Sequence, residues 1–164
     1  MIEELYSSTE LEFFMQEAIK VAHKAQALAE VPIGAVIVDD QTKKIIATGY
    51  NRREMQQNSL AHAELIAIEQ ACQQLGSWRL ENCSIFVTLE PCAMCAGAII
   101  NSRLRNVVFG AFDPKAGSLG SLVNLFTLPY NHHPNLYSGI LERQCANLLT
   151  NFFREIRRRQ RERK

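Results

Sequence analysis

His62 and Glu64 stand two residues apart, and Cys92 and Cys95 three apart, in a chain of 164 residues. One imidazole and two thiolates form a mixed nitrogen and sulfur donor set that suits zinc. Three protein ligands leave the fourth tetrahedral position to solvent, which is how catalytic zinc sites differ from closed structural ones. Zinc held in this way lowers the pKa of a water toward neutrality. Glu64, expected not to be a ligand, is then the group to take that proton and hand it on to the reacting substrate. Alone, Cys92-x-x-Cys95 reads as readily as a surface zinc knuckle or buried thiols as it does as part of a catalytic site. His-x-Glu upstream and Pro91 directly before Cys92 favour the catalytic reading.

These side chains meet only if the elements carrying them end at one place. In mid-helix, residues two apart point to opposite sides, so His62 and Glu64 share a site only off the end of a helix, facing its first turn. Asn58 or Ser59 can cap such a helix, which carries Ala61, Leu65, Ile68, Ala71 and Cys72 on one side and stops near Gly76. Ser84 to Leu89 alternates and reads as a strand feeding the Cys92 turn, with Pro91 at the first position of a helix to about Asn101. Two helix N-termini at the site favour thiolate over thiol.

The rest of the chain supplies the frame. Thr9 and Glu12 have the form of a capping box, with Phe14, Ala18, Val21, Ala22, Ala25 and Leu28 at helical spacing behind it. Ile33 to Val38, a polar turn over Asp39 to Lys44, and Ile45 to Thr48 predict a hairpin. Gly49 to Leu60 is expected to be a loop, Asn106 to Gly110 a strand, Asp113 to Gly120 a loop and Tyr130 to Pro134 irregular. Ile140 to Arg159 predicts a long closing helix. Strands alternating with helices argue an α/β fold: one three-layer α/β/α domain over residues 1–164 with a mixed central sheet.

Composition sets limits on function. With 47% apolar and 21% charged residues, the chain is that of a soluble globular protein. The acidic start Met1-Ile2-Glu3-Glu4 lacks the form of a secretory signal, and the apolar runs are far shorter than a membrane span, so a cytoplasmic protein with no membrane partner is expected. Five cysteines without an export signal suggest metal work before disulfides, and Cys72, Cys83 and Cys145 read as small buried hydrophobes. Arg154, Arg157, Arg158, Arg159, Arg161, Arg163 and Lys164 crowd the end of the chain against Glu155 and Glu162. That tail is either a phosphate contact or a solvated helix end favoured by the dipole. His23 reads as structural or exposed, and His132 and His133 as exposed loop residues.

His62-Ala63-Glu64 followed by Pro91-Cys92-Ala93-Met94-Cys95 is the known signature of zinc-dependent nucleobase deaminases, a recognised pattern and not one that spacing alone yields. Val31 to Val36, Thr88 to Ala98, Val107 to Ala111, Asp113-Pro114-Lys115 and Phe152-Phe153-Arg154 further resemble the bacterial tRNA-specific adenosine deaminase family. That resemblance implies a cytidine-deaminase-like fold, a homodimer and one zinc ion per subunit, bound by His62, Cys92 and Cys95. It also implies conversion of the wobble adenosine of a tRNA anticodon stem-loop to inosine, with the target base splayed into a pocket. By similarity, Asn51 hydrogen-bonds the flipped base or its ribose, Asp113 and Lys115 contact neighbouring nucleotides, and Phe153 and Arg154 meet bases or phosphates. Asn51 can also be a turn residue, and one of Phe152 and Phe153 is expected to pack in the core. A deaminase of free guanine or cytosine type compounds, and a noncatalytic RNA-binding module stabilised by zinc, are the rival readings.

Overall fold

Apolar side chains that alternate along buried strands need cover on both sides, and the chain supplies it from helices before, between and after the strands. A computed structural model describes all residues from Met1 to Lys164. In chain order it forms α1 (Ile2–Leu5), α2 (Ser8–Ala27), β1 (Gly34–Asp39), β2 (Lys44–Tyr50), α3 (Arg53–Gln56) and α4 (Ala63–Leu75). Then come β3 (Cys83–Leu89), α5 (Ala93–Asn101), β4 (Asn106–Ala111), a 3₁₀ turn at Leu125–Thr127, β5 (Asn135–Ser138) and α6 (Glu142–Glu162). The sheet order is β2-β1-β3-β4-β5. β1 pairs antiparallel with both β2 and β3, while β3–β4 and β4–β5 are parallel, so the sheet is mixed as expected.

Strand alternation divides the core in two. Ala35, Ile37, Ile85, Val87, Val107 and Phe109 face a cluster that includes Ala63, Ala67 and Ala71 of α4 and Ala96, Ile99 and Ile100 of α5. Val36, Val38, Phe86 and Val108 face the other way, onto Phe14, Met15, Ala18 and Ala22 of α2 and Cys145 and Leu148 of α6. β3 is buried along almost its whole length on both faces, the state of a central strand covered by helices on each side. Burying a side chain such as Phe86 is worth about 1.5–3 kcal/mol, so these two clusters are the main support of the sheet.

Several boundaries differ from the sequence reading. The capping box opening α2 is Ser7 with Glu10, two residues before Thr9 and Glu12. The N-cap of α4 is His62 itself, not Asn58 or Ser59, since the chain at 58–61 is occupied by a turn. Cys92 is the N-cap of α5, so Pro91 lies just before the cap and not at the first helical position. α6 starts at Glu142 and extends to Glu162, with Leu141 as its cap. The expected loop Gly49 to Leu60 holds the end of β2 and the short helix α3, and α1 and β5 are further elements without a sequence signal.

A chain of buried polar groups ties the end of the sheet remote from Cys92. The Tyr6 and Ser84 hydroxyls both donate to Asp40 Oδ1, Asn106 Nδ2 donates to Ser84 Oγ, and Asn135 Nδ2 donates to Asn106 Oδ1. The Ile2 N–H donates to the Tyr137 hydroxyl at 2.9 Å, so the first residues also hold the edge strand β5.

Candidate active site

The N-termini of α4 and α5 open onto one cavity of about 370 Å³. His62 lies just outside α4 in extended backbone (φ −80°, ψ 149°) and Glu64 is the second helical residue, so both reach off the same helix end. Cys92 sits outside α5 in the same way (φ −74°, ψ 176°), and Cys95 lies in the first turn. Gly49 on β2 makes this arrangement possible: a Cβ there would lie 2.2 Å from the Ala63 carbonyl oxygen, so only glycine lets the start of α4 come this close to the sheet.

His62 Nδ1 is 3.7 Å from Cys92 Sγ and 3.6 Å from Cys95 Sγ, and all three donor atoms lie within 4.8 Å of one another. Tetrahedral ligands at zinc bond lengths of about 2.0–2.3 Å sit about 3.5–3.8 Å apart, so this donor set fits a zinc ion in spacing as well as in chemistry. No fourth His, Cys, Asp or Glu joins the cluster. The protons are shared unequally. The hydrogen bond from Cys95, joined by one to His62, overcomes burial and holds the Cys92 thiol down to about 4. The same Cys92–Cys95 bond, reinforced by burial, pushes Cys95 up, and a bond to Cys92 pushes His62 up. Glu64, 4% exposed, has its carboxyl raised chiefly by burial.

The cavity also brings together Asn51, Asp113, Lys115 and Phe153 with His62 and Glu64. Phe153 is 43% exposed and lines the cavity, whereas Phe152 is 7% exposed and packs inward, so the pair divides between site and core. Asn51 serves both readings: it lines the cavity, yet its Nδ2 donates to the Val31 carbonyl (3.2 Å) and its Oδ1 accepts the Arg53 N–H (3.1 Å). Arg154 does not line this cavity; it stands on the exposed surface of α6 near Arg157 and Arg158. Exposed His133 and half-buried His132 face the Phe126 and Leu104 carbonyls, so they fasten a loop and lie outside the cavity lining.

Sequence reasoning missed three residues. Arg53 lines the cavity. Glu30, 1% exposed, accepts the N–H groups of Glu54 and Met55 and so pins the segment that carries Asn51 and Arg53. Glu90 does the same for the segment that carries Asp113 and Lys115, accepting the N–H groups of Asp113 (3.1 Å), Leu119 (3.0 Å) and Ser121 (3.0 Å) and the Ser121 hydroxyl. Burial would raise the Glu90 carboxyl, but these bonds, led by Ser121, outweigh it and hold the group below its ordinary value. Gly117 leaves room for this carboxylate, since a Cβ there would lie 2.3 Å from Glu90 Cδ. An acid directly before the Pro91-Cys92 pair was the one faint signal for Glu90. Glu30 gave none.

With this geometry in place, residues 8–111 match the cytidine and deoxycytidylate deaminase zinc-binding region. The chain belongs to this zinc-binding deaminase family. Over 152 residues it is 52% identical to a tRNA-specific adenosine deaminase of Bacillus subtilis (strain 168), covering 92% of this chain and 93% of that one. A solved structure from a study of A-to-I editing by tRNA:A34 deaminases at the wobble position superposes with a TM-score of 0.79 at 44% identity. That match covers 84% of this chain and 99% of the other. A guanine deaminase from Nitrosomonas europaea shares the fold (TM-score 0.74) at 25% identity over 86% of this deaminase chain and 83% of its own. The α/β/α frame is therefore the cytidine-deaminase-like fold, and His62, Cys92 and Cys95 fit the one zinc ion that the family's zinc-binding region holds.

Proposed function

We propose that this deaminase hydrolyses the 6-amino group of adenosine at the wobble position of a tRNA anticodon, consuming water and giving inosine and ammonia. The observation that carries the reading is Glu64, buried in the same cavity as a three-donor cluster that no fourth protein ligand closes. His62, Cys92 and Cys95 hold the ion, which when bound supplies the Lewis acidity that makes water a nucleophile at neutral pH. Glu64 accepts one proton of the attacking water and passes it to the ring nitrogen next to the amine, then carries the proton of the new C6 hydroxyl to the amine, which leaves as ammonia as its bond to C6 breaks. Burial suits this role, because a carboxylate whose pKa is raised accepts a proton from water more readily than an ordinary one, and the carboxyl so formed can pass it on to a nitrogen that becomes more basic during the reaction.

Asn51, Arg53, Asp113 and Lys115 line the cavity that would take the base, and the exposed ring of Phe153, also in the lining, offers a stacking surface. An exposed aromatic and two cations beside the cavity suit an RNA loop with a splayed base. A free neutral nucleobase needs neither. The close similarity to tRNA-specific adenosine deaminases supports the same choice over the guanine-deaminase alternative. The working form in this reading is a cytoplasmic homodimer that binds the anticodon stem-loop, as the family resemblance implies. No helix is long and apolar enough to cross a membrane.

The test is to incubate zinc-loaded protein with an anticodon stem-loop carrying a wobble adenosine, and separately with adenine, guanine, adenosine and cytidine. Ammonia is expected with the stem-loop, together with inosine in the digested RNA. Ammonia from a free base or nucleoside and none from the stem-loop would contradict the assignment.

A further inference from the structure

Glu90 lines the cavity, yet its carboxylate is already committed elsewhere. Oε1 accepts the Asp113 N–H and the Ser121 hydroxyl, and Oε2 accepts the Leu119 and Ser121 N–H groups. A carboxylate has about four acceptor positions, so this one, 2% exposed, has none to spare for a substrate. All four donors belong to the segment 113–121.

That segment makes its own shape but not its own place. Asp113 Oδ1 accepts the Lys115 N–H (3.0 Å) and the Ala116 N–H (3.3 Å), and the Asp113 carbonyl accepts the Gly117 N–H (2.9 Å), which closes a turn on itself. Hydrogen bonds from 113–121 to the chain before it go to Glu90 and, from the Ser118 N–H, to the Pro91 carbonyl at 2.9 Å. Leu119, 2% exposed, anchors the far half of the segment in the core. At the near end, which brings Asp113 and Lys115 to the cavity, the bond from the Asp113 N–H to Glu90 is the one such tie. Glu90 and Pro91 directly precede Cys92, so consecutive residues hold a zinc ligand and this segment together.

Resting on the proposed RNA substrate, we propose that Glu90 is a positioning residue for RNA recognition: through the Asp113 N–H it sets where Asp113 and Lys115 stand relative to the zinc ligands. It thereby fixes the spacing between the reacting base and the contacts to neighbouring nucleotides, and touches neither itself.

Glu90→Gln acts on that tie alone. An amide nitrogen at the Oε2 position would face two backbone N–H groups, whereas at Oε1 it faces one, because the Ser121 hydroxyl can turn and accept. The favoured orientation keeps the Leu119 and Ser121 N–H bonds and breaks the bond to Asp113. Ser121→Ala removes the hydroxyl and leaves every backbone bond in place. Binding of the wobble-adenosine stem-loop to zinc-loaded protein is followed by fluorescence anisotropy, together with single-turnover inosine formation at saturating stem-loop, zinc content and circular dichroism. Glu90→Gln should weaken binding about tenfold or more, with zinc content and the saturated rate unchanged. Removing a negative charge near a polyanion would by charge alone tighten binding, so weakening reports geometry. Ser121→Ala should bind as the wild type does, and in an Asp113→Asn background Glu90→Gln should weaken binding clearly less, because the two residues act through one contact. Loss of zinc, or a lower saturated rate with binding unchanged, would assign Glu90 to the metal turn; equal weakening in Ser121→Ala would reduce the effect to a slack segment; additive effects with Asp113→Asn would separate the two residues. Each overturns the proposal. Inosine from the wild type with unchanged binding by Glu90→Gln removes the positioning role alone, whereas weaker binding by Glu90→Gln with no inosine from the wild type keeps that role and removes the proposed reaction.

Discussion

Cys92, held down to about 4 by the thiol and imidazole beside it, is a thiolate across the physiological range when no ion is present. Cys83 and Cys145, each pushed up to about 12 chiefly by burial, remain thiols there. Thiolate, not thiol, attacks electrophiles, so the two classes part in a labelling experiment. Stripping the metal with a chelator should add a fast-reacting thiol at pH 6, and mass spectrometry should place the label on Cys92 with Cys83 and Cys145 unmodified. Labelling of Cys92 at the same rate before and after chelation would mean that it does not hold the ion. Residues of this kind were legible in the sequence because the chemistry dictates their types: few side chains bind zinc, and few carry protons beside it. Glu30 and Glu90 are as buried as any catalytic group, yet their partners are mostly backbone N–H groups, which every residue except proline offers alike. A carboxylate waiting for such partners leaves little trace in a sequence.

At the scale of elements, the long amphipathic helices and buried strands were legible because a periodic apolar face continues over many residues. α1, α3 and β5, each only 4 residues long, were not. Elements so short are unstable alone and exist through tertiary contacts: Ile2 against Tyr137, Glu30 against the start of α3, and Asn135 against Asn106. The shift of the α4 cap to His62 has a similar origin. Packing of Ala63 and Ala67 against Gly49 fixes where the helix begins and overrides the better capping residues Asn58 and Ser59. The Glu30 contact gives a prediction at this scale. Glu30→Gln puts an amide N–H where a carboxylate oxygen now accepts a backbone N–H, at a cost of about 1–3 kcal/mol. Loosening of the Asn51–Arg53 wall should raise KM for the stem-loop about tenfold or more with the zinc content unchanged. An unchanged KM would show that this wall does not depend on the buried acid.

For the whole molecule, the decisive feature is convergence. The α4 and α5 N-termini lie on one face of the sheet, while α6 comes from the other and delivers Phe153 to the same opening. The antiparallel β1–β3 pair and the parallel β3–β4 pair bring Gly34, at the start of β1, to Thr88, near the end of β3, where Leu89 pairs with Ala111 at the ends of β3 and β4. The layered α/β class followed from the order of elements, but the cavity did not, because its walls come from segments as distant as Val31 and Phe153. The central claim, that one zinc ion and one non-ligating acid perform the hydrolysis, is tested by measuring bound zinc and inosine yield together in wild-type protein and in Glu64→Gln. One zinc per chain in both proteins, with inosine formation lowered at least about 100-fold in the variant, is the predicted result. Near-normal inosine formation by zinc-loaded Glu64→Gln would contradict it.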